Sequence, residues 1–313
     1  MFCIVAFVVL AVMGIFSAAY RDLAAEAFAC VGKRVTFRPC DTGFKEKMKA
    51  QLVGSLVNRS VVAARMVNKH YELIAWIFFL LTVWSIYATA DGLYNYYRYG
   101  SCEGLNQSSF CVLDPSGSNN AISGVDVPEG VLLPECSGDA DASDTVLNSI
   151  PLDRTLYPRL PAEVENRVVM IGCFECEYTR EAYPRIQRLR TEHEVDYMFV
   201  HYPTRPTTAY LTGLTQCAYE ADVRRWVDLV DKFFTTEPEV LHNEDAVYDL
   251  VETVGYDRDE IRSCATSEVI QETVQTMRQQ VVRTGIYGTP LIFINDQPVV
   301  GPKPYRVYRF MLE

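Results

Sequence analysis

The sequence predicts an α/β fold for the C-terminal half of the chain, preceded by two transmembrane helices and a flexible linker. Three observations carry the α/β part. Val168-Val-Met-Ile-Gly-Cys-Phe-Glu-Cys sets Cys173 and Cys176 two residues apart, behind a short apolar run and ahead of a helical pattern from Glu177 to Arg190. Gly288-Thr-Pro-Leu-Ile-Phe-Ile-Asn-Asp-Gln-Pro-Val-Val-Gly301 reads as strand, tight turn, strand. The stretch between them, from Thr207 to Arg283, is almost wholly helical in pattern.

A Cys-x-x-Cys at a strand-to-helix junction has a chemical meaning. The first sulfur lies at a helix N-terminus, where unpaired N–H groups and the helix dipole stabilise a thiolate. The thiolate attacks disulfides, and the second cysteine resolves the mixed disulfide. Cys173, partly exposed, is therefore expected to be the nucleophile and Cys176 the buried resolver. Half of a zinc site is the competing reading. With no second Cys-x-x-Cys and no His-x3–5-His, no metal is expected. Pro290 heads a buried strand, where a missing N–H is tolerated, and X-Pro takes the cis form cheaply.

In this order and spacing, the two motifs resemble the thioredoxin superfamily, and within it the DsbA-like branch, from about Val164 to the C-terminus. The resemblance implies a thioredoxin fold over 163–313 with a helical insert at about 204–284. It also implies a cis-proline loop that faces the cysteines and holds substrate chains extended. Thr289 and Pro290, with Phe174 and Glu175 between the cysteines, are then the substrate-binding candidates. The cysteine pair carries the electrons, so no cofactor is needed. Partners would be exported cysteine-containing proteins and a membrane electron-transfer partner, either a quinone-linked oxidase or an electron conduit. Strongly oxidising members carry Pro-His where this chain has Phe174-Glu175. Glu175 and Glu177 oppose thiolate formation and Arg180 offsets part of this, so a milder oxidant is expected.

Taken in order, residues 1–20 come first: Met1 to Ala19 is uncharged and long enough to cross a bilayer. Cleavage as a signal peptide after Ser17-Ala-Ala is the alternative, but the positive leading region is missing. Residues 21–72 hold ten Lys/Arg against five Asp/Glu, whereas the rest of the chain holds nineteen against thirty-five. Basic loops stay cytoplasmic, which makes 21–72 a cytoplasmic loop and sends both termini outside. A cytoplasmic thiol domain is the alternative orientation. Met48, Leu52, Leu56, Val61 and Met66 give the loop an amphipathic face suited to membrane lipid, with a protein partner as the other option. Residues 73–92 contain the uncharged run Leu73 to Ala90, with Trp76, Trp84 and Tyr87 as interfacial aromatics. The acidic exterior, in a chain of net charge −11, argues against nucleic acid.

Residues 93–162 turn to Ser, Gly, Asp, Asn and Pro and read as an extracytoplasmic linker, with Asn106-Gln-Ser as a glycosylation sequon. Its acidic cluster lacks an ordered calcium-ligand pattern. Seven of ten cysteines fall in the proposed exterior, where disulfides persist. Cys102 and Cys111 bracket a polar loop and are expected to pair, and Cys217 and Cys264 are placed to staple the insert. Cys136 is left odd. Cys30 and Cys40 read as reduced structural thiols, and Cys3 as filler.

Within the domain, Glu194 to Pro203 gives a second strand. Helices follow at Thr208–Ala218, Ala221–Phe234, Asn243–Val254 with Gly255 as the stop, Arg258–Cys264, and Glu268–Arg283 capped by Ser267. His193 and His201 flank the second strand as surface or core residues. The expected function is a membrane-tethered, extracytoplasmic thiol–disulfide oxidoreductase that forms disulfides in exported proteins. The alternatives are a reductase or isomerase, or a redox-inert binding domain.

Overall fold

The computed structural model of the chain describes residues 61–124 apart from 108, residues 147–313, and a few isolated positions before 61. The first span, most of the basic loop before residue 61, and Cys3, Cys30, Cys40 and Cys136 lie outside the described residues. The chain divides into two compact units, Met1–Asp91 and Gly92–Glu313.

Helix α1 (Val61–Tyr99) departs from helical geometry at His70 (φ −108°, ψ 20°). Its stretch Trp76–Tyr99, 24 residues, is long and apolar enough to cross a membrane. None of the residues in that window is fully buried.

The second unit is built on a five-stranded sheet in the order β2-β4-β3-β6-β7, from β2 (Arg159–Leu160), β3 (Arg167–Gly172), β4 (Asp196–His201), β6 (Leu291–Ile294) and β7 (Gln297–Val300). β3 and β4 are parallel and joined through helix α2 (Glu177–Glu192), while the other pairings are antiparallel. Period-two alternation divides these strands between two cores. Val168, Met170, Tyr197, Phe199, Ile292 and Ile294 face the larger core, with α2 and the insert. Val169, Ile171, Met198, Val200, Leu291 and Phe293 face the smaller, with Leu152, Tyr157, Met277 and Ile286. Both faces are covered, which is why the strand stretches read as unbroken apolar runs.

The insert comprises α3 (Tyr210–Ala221), α4 (Val223–Thr235), a 3₁₀ turn (Pro238–His242), α5 (Glu244–Thr253), α6 (Arg258–Ala265) and α7 (Glu268–Arg283). The expected apolar stripe of α4 buries Trp226, Val230, Phe233 and Phe234 in the larger core. Asn243 and Ser267 cap their helices as read from the sequence, and Asp222 and Asp257 do the same for α4 and α6. Each such cap is worth about 1 kcal/mol. Gly255, at φ +93°, ends α5 in the left-handed region that glycine adopts without strain. A disulfide joins Cys217 of α3 to Cys264 of α6. Helix α8 (Tyr305–Phe310) closes the chain against α2.

Residues 100–124, read from composition as linker, instead pack onto the domain. A disulfide joins Cys102 to Cys111. Asn106 is spent on the free edge of β7: its amide donates to the Pro298 carbonyl (2.9 Å) and accepts from the Val300 N–H (2.9 Å). The sequon nitrogen is therefore engaged in the fold, which argues against a glycan there. The buried Lys303 ammonium donates to the Asn120 side chain. Beyond it, β1 (Ser123–Gly124) pairs antiparallel with β5 (Gly288–Thr289), Ser123 opposite Thr289. Composition reported polarity correctly, but polar side chains can saturate a sheet edge as readily as they can stay in water.

Candidate dithiol site

β3 delivers the cysteines to the end of the sheet. A Cβ on Gly172 would stand 2.4 Å from the Thr179 methyl, so glycine lets the first turn of α2 close against the strand. Cys173 and Cys176 follow as free thiols, with the Cys176 N–H donating to the Cys173 carbonyl (3.2 Å). The sulfur at the helix N-terminus is that of Cys176, the N-cap, which accepts from the Thr179 N–H at 3.4 Å. The sequence reading gave that position to Cys173 and is corrected here. The helix begins one residue after the second cysteine, which leaves the first in the preceding turn.

The two sulfurs have different neighbours. Cys176 Sγ lies 3.4 Å from the Thr289 carbonyl and 3.1 Å from the Ser123 hydroxyl. Cys173 Sγ accepts from the Thr204 hydroxyl at 3.6 Å. Expected to be partly exposed, Cys173 is instead fully enclosed, at 0%. Burial pushes its thiol above the usual range, and the Glu175 carboxylate adds to that rise. Backbone N–H groups of Thr204 and Glu175, with the Thr204 hydroxyl, pull the other way. The direction agrees with the expectation from Phe-Glu, but desolvation is the leading cause.

Phe174 is corrected from a substrate contact to an anchor. It is wholly buried, stacked on His201 (centroids 4.6 Å apart) and packed on Phe199, Phe233 and Phe234. Glu175 also turns inward. Its Oε1 accepts from Thr204 (3.4 Å) and Thr208 (3.3 Å), and its Oε2 meets His242 Nε2 at 2.7 Å. Arg180 donates to the carbonyls of Phe174 (2.6 Å), Phe234 (3.0 Å) and Phe233 (3.0 Å), tying the dipeptide to α4 rather than serving as a free counter-charge. The Thr289–Pro290 bond is cis, and both residues are buried. Ser123 and Gly124 occupy the edge beside Thr289. His201 is a core residue, as read: Nδ1 pairs with Thr212 Oγ1 at 2.9 Å, and burial holds its pKa down to about 3.

Four contributors went unrecognised in the sequence: Ser123, Thr204, Thr208 and His242. Thr204 and Thr208 had a usable signal, because they follow a parallel strand and loops at carboxyl ends of parallel strands gather at one rim. Ser123 and His242 had none, since they reach the cysteines through tertiary packing alone. Among the described residues, no group of three or more His, Cys, Asp or Glu side chains is arranged to hold a metal ion.

Comparison with known proteins sharpens this picture. The profile of the DSBA-like thioredoxin domain matches residues 146–310. Similar solved structures include the thiol-disulfide exchange protein α-DsbA2 from Wolbachia pipientis (21% identity, TM-score 0.45, 50% of this chain and 85% of that one). A periplasmic thioredoxin-like protein from Salmonella enterica serovar Typhimurium is 18% identical (TM-score 0.45, 52% and 94%). Oxidised BdbD from Bacillus subtilis is 17% identical (TM-score 0.44, 53% and 92%). No curated protein matches the sequence.

Proposed function

The chain belongs to the family of DSBA-like thioredoxin domains, thiol–disulfide oxidoreductases, and from that premise we propose that it is a membrane-tethered enzyme forming disulfides in exported proteins through Cys173 and Cys176. The observation that carries this reading is the dithiol at the end of β3, with the Thr289 carbonyl 3.4 Å from Cys176 Sγ. In the oxidised enzyme a substrate thiolate attacks Cys173 Sγ. A mixed disulfide forms, the Cys173–Cys176 bond breaks, and Cys176 leaves as the thiolate. A second substrate thiolate then attacks its own sulfur in the mixed disulfide, releasing Cys173 and the substrate disulfide. Two electrons now reside on the cysteine pair and pass to a membrane partner, such as a quinone-linked oxidase.

Placement outside the cytoplasm is supported by the Cys102–Cys111 and Cys217–Cys264 bonds, which persist in oxidising compartments. Tethering is supported by the apolar helix at Trp76–Tyr99 and the basic loop ahead of it. A reductive direction, with an electron conduit as partner, is favoured by the burial of Cys173. A thiol held above its usual range is a poorer leaving group, which stabilises the disulfide and weakens it as an oxidant. Titrating the pair against glutathione buffers tests the direction. A potential near that of the extracytoplasmic oxidants supports disulfide formation, whereas one near that of thioredoxin supports reduction. A Cys176→Ser protein that accumulates no mixed disulfides with exported proteins would remove the enzymatic reading.

A further inference from the structure

We propose that His242, on the 3₁₀ turn of the helical insert, is a positioning residue for the Cys173 thiol and acts through the Glu175 carboxylate. This rests on the dithiol reading above and adds the insert to the machinery of that site.

The three groups form one connected chain. Glu175 stands between the cysteines with its side chain 5% exposed, and its Oε2 meets His242 Nε2 at 2.7 Å. Its Oε1 accepts from the Thr204 hydroxyl, the same hydroxyl that reaches Cys173 Sγ at 3.6 Å. An enclosed carboxylate beside a thiol opposes a second negative charge, so the thiolate forms at a cost set by how well that carboxylate is neutralised. Thr204 and Thr208 supply dipoles but no charge. Arg180, packed on the same turn, spends its donors on three carbonyls rather than on Glu175, and its charge faces Glu237, Cys173 and Glu239. The imidazole of His242 is therefore the side chain that meets the Glu175 carboxylate at contact distance and can bring a compensating charge to it. His242 is 35% exposed on its side chain, while Cys173 is sealed. The chain from His242 through Glu175 and Thr204 thereby links the surface to a sulfur that solvent itself does not touch.

The test is the pH dependence of Cys173 alkylation, followed by mass spectrometry on the full chain in a Cys176→Ser background. His242→Ala should raise the midpoint of thiolate formation by about one pH unit, a tenfold loss of thiolate near neutrality. His242→Lys, which restores a cation, should return it, whereas His242→Gln, which restores only a donor, should not. Glu175→Gln should lower the midpoint and abolish the effect of His242→Ala. An unchanged midpoint in His242→Ala overturns the proposal. So does an equal shift with Glu175 or Gln at position 175, because that shift would reflect a general disturbance of the insert. A midpoint that moves as described, in a protein that traps no exported partner, upholds the coupling and removes the oxidoreductase reading instead.

Discussion

Cys173 and Cys176 are neighbours in sequence, yet the walls around them come from opposite ends of the domain. The Cys173 wall is drawn from the dipeptide, the loop after β4 and the helical insert: Glu175 and Thr204 at the sulfur, with Thr208, His242 and the α4 carbonyls behind them. The Cys176 wall is strand-like: the Thr289 carbonyl, and Ser123 from a segment that precedes the whole thioredoxin core. One wall is polar and includes a titratable side chain; the other is mostly backbone. The contrast shows how a two-residue spacer can give two thiols different surroundings. Burial first, and the Glu175 charge after it, push the Cys173 thiol up, while Cys176 is held by hydrogen bonds.

The largest effect that could break this comparison comes from the sulfurs themselves. Cys173→Ser should abolish dithiol exchange, while Cys176→Ser should still form mixed disulfides but fail to resolve them. Non-reducing gels with partner identification distinguish the two, and equal behaviour would erase the division of roles. Next comes the staple of the insert. Replacing Cys217 and Cys264 by serine opens a link 47 residues apart in sequence and should cost about 2–4 kcal/mol in urea unfolding. The Cys173 midpoint should shift with it, and the Cys176 environment should not.

The backbone wall is sharpened by Gly288→Ala. A Cβ there would stand 2.5 Å from Ile122 Cδ1 and 2.9 Å from the Ser123 carbonyl oxygen. Overpacking of this kind costs about 1–3 kcal/mol, so Ser123–Gly124 should loosen and Cys176 alkylation accelerate. A smaller effect comes from His201, which stacks under Phe174. Its folded pKa of about 3 lies below its ordinary 6.5, so the unfolded chain binds the extra proton in that window. Its contribution is complete above about pH 6.5 and is lost as pH falls toward about 3. Melting temperatures of His201→Gln should therefore decline less steeply with acidification.

Much of the fold was legible because its signals are local. The apolar runs of β3 and β6, the Asn243 and Ser267 caps, the Gly255 stop and the α4 stripe each arise from neighbours within one or two turns. The cysteine pair and Thr289-Pro290 were legible as chemistry. What the sequence hid depends on distant contact: the burial of Cys173, the inward turn of Phe174 and Glu175, and the reach of His242. Ser-, Gly- and Asn-rich composition at 100–124 signals an absence of helix and core, and that is equally true of a free tether and of a segment hydrogen-bonded along a sheet edge.

The pairing of Ser123–Gly124 with Gly288–Thr289 has a thermodynamic consequence for any guest polypeptide that would lie along that rim. Main-chain hydrogen bonds there are already satisfied, so a guest exchanges one set for another and gains little from backbone alone. Its rival is tethered within the same molecule and competes at an effective concentration of order millimolar. Discrimination then falls to the guest's side chains and to the covalent sulfur bond it can form. Weakly matching strands are turned away before any chemistry begins.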